Sequence, residues 1–198
     1  RIQVRMLDNV IDINHLPVLQ AQITNQKYRA VGLGTFGWHH LLALKHIRWE
    51  SDEAVQYADE LYETIAYYAI QASMELAKEK GAYPYFEGSD WESGRYFEVR
   101  GYLKDEKWRQ LAHSIQEHGI RNGYLMAIAP NSSTSLIAGS TPSIDPVFQK
   151  FYAEEKKDYK IPVTAPDLNA DTTWYYKSAY LLDQHWSIRQ NAVRQRHI

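Results

Sequence analysis

The stretch GYLMAIAPNSSTS, residues 123–135, sets the expected architecture of this chain. Its apolar run from Leu125 to Ala129 is stopped by Pro130, and five small polar residues, Asn131 to Ser135, follow at once. This pattern predicts a strand that delivers a hydroxyl-rich turn. If a helix begins within the turn, its free N–H groups and the positive end of its dipole suit a phosphate. Ser, Thr and Asn are also preferred at helix starts, so the local residues alone favour an ordinary N-cap over an anion site.

Composition narrows the class of protein. The chain has 198 residues, enough for one domain with its own core, and its hydrophobic share of 44% is ordinary for a globular protein. No run approaches the roughly 18 apolar residues that a membrane span needs, so we expect a soluble protein. With 22 basic and 24 acidic residues, the chain lacks the basic excess that nucleic acid or a membrane surface attracts. It contains no cysteine, which excludes disulfides, thiolate metal sites and cysteine nucleophiles within these residues.

We expect the sequence to begin and to end within a longer chain. The chain starts without Met, with Ile2, Met6 and Val10 already on a helical period. Residues 184–198 are predicted to be helix or the approach to one, and no stop signal follows. We therefore expect residues 1–198 to be a single region of a longer chain.

Helical periods dominate the rest of the sequence. The strongest is residues 52–80, with Ser51 as a cap, a continuous apolar stripe and Gly81 after the last turn. Residues 29–37 are predicted to be a short buried strand that leads into a glycine-rich turn. The other predicted helices are residues 2–14, 38–47, 105–119 and 171–188.

Three segments lack a helical period. Residues 83–104 have no regular pattern, so we expect a mixed loop region that is an insertion or a lid. Residues 154–158 are predicted to be a solvated charged turn, and residues 162–166 to be extended.

Two other motifs are weak. Glycines 32, 34 and 37 have the spacing of a dinucleotide fingerprint, but no acidic residue in a convincing strand follows about twenty positions later, so close backbone packing or unusual dihedrals are the preferred interpretation. The adjacent His39 and His40 face different sides of a helix and cannot chelate a metal as an i, i+4 pair would. We expect surface or capping histidines there.

Over nearly its whole length the sequence resembles the large, catalytic subunit of ribonucleotide reductase, most closely the class I ribonucleoside-diphosphate type. The main motif is RNGYLMAIAPNSSTSLIAGSTPSIDP, residues 121–146. Four more stretches follow the family's order: MLDNVID (6–12), VGLGTFG (31–37), ASMELAKEKGA (72–82) and EEKKDY (154–159). The resemblance implies a helix-rich α/β fold, the C-terminal part of a ten-stranded α/β barrel.

The resemblance also implies a site. In that family the turn after this strand binds the phosphates of the nucleoside diphosphate substrate through backbone N–H groups and hydroxyls. The matching residues here are Asn131, Ser132, Ser133, Thr134 and Ser135. Other members carry a different mix of polar residues at this turn, but backbone donors do not depend on the side chain. The resemblance thus makes the anion site the preferred interpretation of the turn.

The family reduces ribonucleotides to deoxyribonucleotides with a cysteine thiyl radical, a flanking Asn and Glu, and a redox cysteine pair. No cysteine occurs here, so we expect no catalytic residue and no reductase activity in the isolated chain. In class I enzymes the metal and radical cofactor belongs to a separate small subunit, so we expect this chain to bind neither metal nor cofactor.

The partners implied are the nucleoside diphosphate, the remainder of the large subunit and the small subunit, in the cytoplasm, with no nucleic acid and no membrane. Two alternatives stay open. One is a non-catalytic module that binds nucleotide or phosphate, and the other is a self-associating scaffold fragment.

Overall fold

Helices dominate the computed structural model, which describes residues 1–155 and 157–198. Its α-helices are α1 (Ile2–Ile13), α2 (Leu19–Tyr28), α3 (Trp38–Leu44), α4 (Asp52–Lys80), α5 (Arg95–Val99), α6 (Glu106–His118), α7 (Ser132–Ile137) and α8 (Gln184–Gln195). Short 3-10 helices cover Tyr102–Lys104 and Thr172–Trp174. Strands β1 (Phe151–Glu155) and β2 (Lys160–Thr164) form an antiparallel hairpin with Phe151 opposite Thr164. None of the described helices is long and apolar enough to cross a membrane.

The chain divides into two compact units that interleave along the sequence. Unit 1 comprises residues 1–33, 61–127 and 196–198, and unit 2 comprises residues 34–60 and 128–195. Because the chain passes between the units within helix α4 and within the motif at 123–135, no polar linker marks their boundary.

Helix α4 forms where its caps and apolar stripe predict it. The Ala54 N–H donates to the Ser51 hydroxyl at 3.1 Å, and Asp52 and Glu53 lie at the positive end of the helix dipole. At the other end, Gly81 takes φ +85° and its N–H donates to the Ala77 carbonyl at 2.8 Å. The predicted helix 52–80 is confirmed.

The core of unit 1 is built from α4, α6 and the segment between them. Trp108, Leu111 and Ile115 recur at helical spacing on one side of α6 and are buried. The segment at 83–104 is not a lid, because its aromatic side chains lie in the same core. They are Tyr83, Trp91, Phe97 and Tyr102, each no more than 6% exposed. Because the backbone of this segment is irregular, its buried residues do not recur at a helical or strand period. The sequence pattern therefore did not predict their burial.

The two segments predicted as strands, residues 29–37 and 125–129, do not form strands, and one isolated parallel bridge between Leu33 and Met126 joins them in unit 1. The Leu33 N–H donates to the Leu125 carbonyl at 2.8 Å, and the Ala127 N–H donates to the Leu33 carbonyl at 3.0 Å. A Cβ at Gly32 would lie 3.1 Å from the Ala127 Cβ, so glycine permits the close approach. Backbone packing, the preferred interpretation of this glycine, is confirmed.

Unit 2 contains α3, the hairpin and α8. The Trp38 indole N–H donates to Gln190 Oε1 at 2.7 Å, and the Trp49 indole N–H donates to Ser187 at 3.1 Å, so two tryptophans hold α8. The Arg194 guanidinium lies over the Trp38 ring at 4.3 Å. A second small cluster of buried residues joins Ala43, Ala165 and Tyr176.

Several local predictions are wrong. Residues 171–188 are not one helix, since a 3-10 turn at Thr172–Trp174 is separated from α8, which starts at Gln184. Helix α2 was not predicted from the sequence, and none of its residues is buried. The charged segment 154–158 begins inside β1, because hairpin pairing extends to Glu155 opposite Lys160. Lys156 lies outside the described residues.

Candidate functional site

The turn at residues 131–135 starts helix α7 in unit 2. Asn131 is the residue before the helix and takes φ +53°, a left-handed conformation that Asn tolerates better than most residues. Its side chain does not cap α7, because its amide Nδ2 donates backwards to the Ala129 carbonyl at 3.1 Å. A helix therefore begins within the turn, and the ordinary N-cap that the local residues favour is not made, because no side chain caps α7.

Backbone donors at this helix start remain available. Among the described residues, no acceptor is paired with the backbone N–H groups of Ser132, Ser133 and Thr134, and all three residues are exposed. The first N–H groups of a helix have no partner within it and point outward from its start. Because α7 has only six residues, these local N–H groups matter more than a summed dipole. The arrangement can donate several hydrogen bonds to one small anion.

Ser135 plays a different part in the turn. It is fully buried, its N–H donates to the Asn131 carbonyl at 2.9 Å, and its hydroxyl donates to the Ser132 carbonyl at 3.0 Å. Its own carbonyl accepts from the Ser140 N–H at 2.8 Å. Ser135 thus ties both ends of the turn together, whereas Ser132, Ser133 and Thr134 face outward.

Helix α3 supports the segment that follows the turn. The Gly37 N–H donates to the Thr141 carbonyl at 2.8 Å, and the His40 N–H donates to the Thr141 hydroxyl at 3.3 Å. Gly37 takes φ +83°, and a Cβ there would clash with the Ser140 hydroxyl. No local signal connects α3 with residues about a hundred positions later, so sequence reasoning missed His40, Ser140 and Thr141 as supports of the turn.

The two adjacent histidines differ in environment. His39 is fully buried, where its Nδ1 accepts from the Val147 N–H and its Nε2 donates to the Tyr175 carbonyl, each at 3.0 Å. Burial lowers the pKa of His39 to about 4, so the ring is neutral at pH 7. The expectation of a surface or capping histidine is wrong for His39, which is a hydrogen-bonded core residue. Within the described residues, no group of three or more His, Asp or Glu side chains is arranged to hold a metal.

Unit 1 contains a separate cavity of about 490 Å³. Aromatic rings form much of its wall, including those of Tyr28, Tyr85, Trp91 and Tyr124. It includes none of the five residues of the turn, which belong to unit 2. The predicted site does not line this cavity, and its Ser132, Ser133 and Thr134 are exposed.

Comparison with known proteins gives a match over the full chain. Residues 1–198 match the family model described as ribonucleotide reductase, barrel domain. The chain is 52% identical over 198 residues to the ribonucleoside-diphosphate reductase subunit alpha of Treponema pallidum, covering 100% of this chain and 23% of that protein.

Similar proteins in other bacteria carry the same description. The Helicobacter pylori strain 26695 protein is 42% identical over 209 residues, covering 100% of this chain and 26% of its own length. The Synechocystis protein is 39% identical over 203 residues, with 98% and 26% coverage. The chain therefore spans about a quarter of the length of these curated relatives.

Proposed function

This chain belongs to the ribonucleotide reductase barrel-domain family, and on that premise we propose that it supplies the substrate-phosphate site of a ribonucleoside-diphosphate reductase large subunit. The ligand is the diphosphate of a ribonucleotide, bound at Asn131, Ser132, Ser133, Thr134 and Ser135. The observation that carries the proposal is the set of three exposed N–H groups at Ser132, Ser133 and Thr134 that lack acceptors among the described residues.

Within this proposal the five residues have distinct roles. The N–H groups and hydroxyls of Ser132, Ser133 and Thr134 donate to phosphate oxygens. Asn131 supplies the left-handed residue that opens the helix, and Ser135 holds the turn in shape through its buried hydrogen bonds. Because the donors are mostly backbone groups, affinity should depend on the shape of the turn more than on its hydroxyls.

The chemical step is assigned to other parts of the enzyme. The chain has no cysteine, so it cannot form a thiyl radical or provide a redox cysteine pair. We propose that the remainder of the large subunit holds these groups and that a separate small subunit holds the metal and radical cofactor. The isolated chain then has no reductase activity, and its isolated parallel bridge between Leu33 and Met126 belongs to part of a ten-stranded barrel in a cytoplasmic enzyme.

Calorimetric titration of the 198-residue chain with ADP tests the site. We expect saturable binding that Ser133→Ala/Thr134→Ala weakens only modestly, because both backbone N–H groups remain. Ser133→Asp should abolish binding, since its carboxylate repels phosphate while a negative charge at a helix start is tolerated or stabilising. Circular dichroism of each variant controls for folding. No binding by the parent chain, or equal binding by Ser133→Asp, would refute the phosphate site.

A self-associating scaffold is the second candidate function. One side of helix α1 exposes four apolar side chains on a helical period: Ile2, Met6, Val10 and Ile13, between 49% and 80% exposed. An uncovered apolar stripe of this kind favours association in water. This candidate requires no ligand, so a chain that associates and does not bind ADP would favour it over the phosphate site.

A further inference from the structure

His40 connects two polar side chains of unit 2 that come from distant parts of the sequence. Its Nδ1 lies 3.0 Å from the Ser140 hydroxyl, and its Nε2 lies 2.8 Å from Asp167 Oδ2. The His40 side chain is only 15% exposed, whereas that of Asp167 is 63% exposed. The ring therefore bridges a half-buried hydroxyl to a carboxylate near solvent.

Hydrogen bonds to its backbone carbonyl fix the position of Asp167. It takes φ +49°, and its carbonyl accepts from the Thr172 hydroxyl at 2.6 Å and from Asn169 Nδ2 at 3.0 Å. Its carboxylate can only accept a hydrogen bond when ionised, so Nε2 of His40 must donate. In the neutral ring Nδ1 then accepts from the Ser140 hydroxyl.

Ser140 connects His40 to the turn at residues 131–135. Its N–H donates to the carbonyl of Ser135 at 2.8 Å, and Ser135 in turn binds the carbonyls of Asn131 and Ser132. Glycine at position 37 leaves the space that the Ser140 hydroxyl occupies beside α3. A chain of hydrogen bonds thus runs from Asp167 through His40 and Ser140 to the turn.

We propose that His40 is a positioning residue for the phosphate-binding turn, acting through Ser140 and oriented by Asp167. This inference rests on the proposed function, because it concerns the same site. His40 does not touch the phosphate. It fixes the position of Ser140, whose N–H binds the carbonyl of Ser135. In this way it keeps the N–H groups of Ser132, Ser133 and Thr134 directed at one phosphate.

Two substitutions of His40 separate its two hydrogen bonds. The amide of His40→Asn lies near the Nδ1 position and can keep the bond to Ser140, whereas the amide of His40→Gln lies near Nε2 and loses it. We expect His40→Gln to weaken ADP binding about fivefold, the equivalent of one net hydrogen bond, and His40→Asn to stay within about twofold of the parent. His113→Ala, at an exposed histidine of unit 1, is the matched control and should bind as the parent does.

Titration calorimetry of the 198-residue chain with ADP and with inorganic pyrophosphate gives the answer. The same loss of affinity for both ligands, at unchanged stoichiometry, supports a role in phosphate positioning. A lower stoichiometry with unchanged affinity in His40→Gln shows a merely structural residue and overturns the inference. Equal affinity of His40→Gln and the parent also overturns it while leaving the phosphate site intact, whereas absence of binding by the parent overturns both.

Discussion

Arg29 donates two hydrogen bonds to one oxygen of the Asp8 carboxylate, from Nε at 3.0 Å and from Nη2 at 2.9 Å. Asp8 is fully buried and Arg29 is 6% exposed, so this ion pair lies inside unit 1. Asn122 also donates to Asp8, at 3.1 Å, and Arg121 and Lys80 lie within 3.4 Å of its oxygens. Burial alone would raise the pKa of Asp8, but the hydrogen bonds and charge of Arg29, together with the charge of Arg121 and the hydrogen bond from Asn122, outweigh it and leave that pKa below its usual value.

Asp8→Asn should destabilise the chain strongly. The substitution leaves buried Arg29 with one carboxylate partner, Asp12 at 2.8 Å, so we expect a cost of about 3 kcal/mol, the lower limit for breaking a buried pair. Urea denaturation followed by circular dichroism measures the change in the free energy of unfolding. Glu79→Gln is the control. It breaks an exposed ion pair with Arg5, which lies on α1 as Asp8 does, and it should leave the urea midpoint of unfolding unchanged. Equal midpoints for the two variants would contradict a stabilising role for the buried pair.

Gly119→Ala should cost more stability than Gly88→Ala. Both glycines have positive φ, +79° and +78°, and Gly119 also has ψ −177°, a conformation that is essentially restricted to glycine and costs other residues about 1 to 3 kcal/mol. A Cβ at Gly119 would also lie 2.5 Å from the Ala82 Cβ, whereas nothing lies within 4 Å of a Cβ at Gly88. We expect a total loss of about 2 to 3 kcal/mol for Gly119→Ala, measured by thermal and urea unfolding. A smaller loss than for Gly88→Ala would show that the neighbouring backbone relaxes freely.

Lowering the pH should destabilise the protein through His39. Its pKa falls from 6.5 in the unfolded chain to about 4 in the folded one, because burial disfavours the charged ring. The unfolded state therefore binds a proton that the folded state excludes between these values, so stability falls as pH decreases from 6.5 towards 4. The full effect is on the order of 3 kcal/mol.

Urea denaturation at pH 7 and at pH 5 checks this dependence. The His39→Gln variant should be less stable than the parent at pH 7, since glutamine cannot make both hydrogen bonds of the ring. Above pH 5, its free energy of unfolding should change much less with pH than that of the parent. The carboxylates whose folded pKa is lowered, such as Asp8, lose their stabilising effect only at lower pH. An unchanged slope in His39→Gln would assign the pH dependence to other groups.

Self-association through helix α1 should respond to one added charge. Val10 is 49% exposed, so Val10→Glu places a carboxylate on the apolar stripe without disturbing the core. We expect the mean mass measured by light scattering at high protein concentration to fall relative to the parent chain. Gln3→Glu adds the same charge at an exposed polar position of α1 and should not change it. A parent chain that is already monomeric at high concentration would exclude the scaffold function.

Local sequence determined the long helices and the position of the turn. Caps, charge placement and an apolar stripe lie within a few residues of each other in α4, so its bounds at Asp52 and Lys80 follow from neighbouring residues alone. The same is true of α6, where Asp105 accepts a hydrogen bond from the Lys107 N–H and Gly119 ends the helix. The order of family motifs then made the turn at 131–135 the proposed phosphate site.

Only the tertiary structure decided which residues surround those elements. The aromatic side chains of residues 83–104 are core residues because irregular backbone turns them inward, and burial without a period leaves no trace in the sequence. Likewise, His40 and Ser140 are 100 positions apart, and their contact exists only because α3 packs beside the segment after the turn. Hydrogen bonds between residues so far apart depend on the folded path of the chain, which no local pattern specifies.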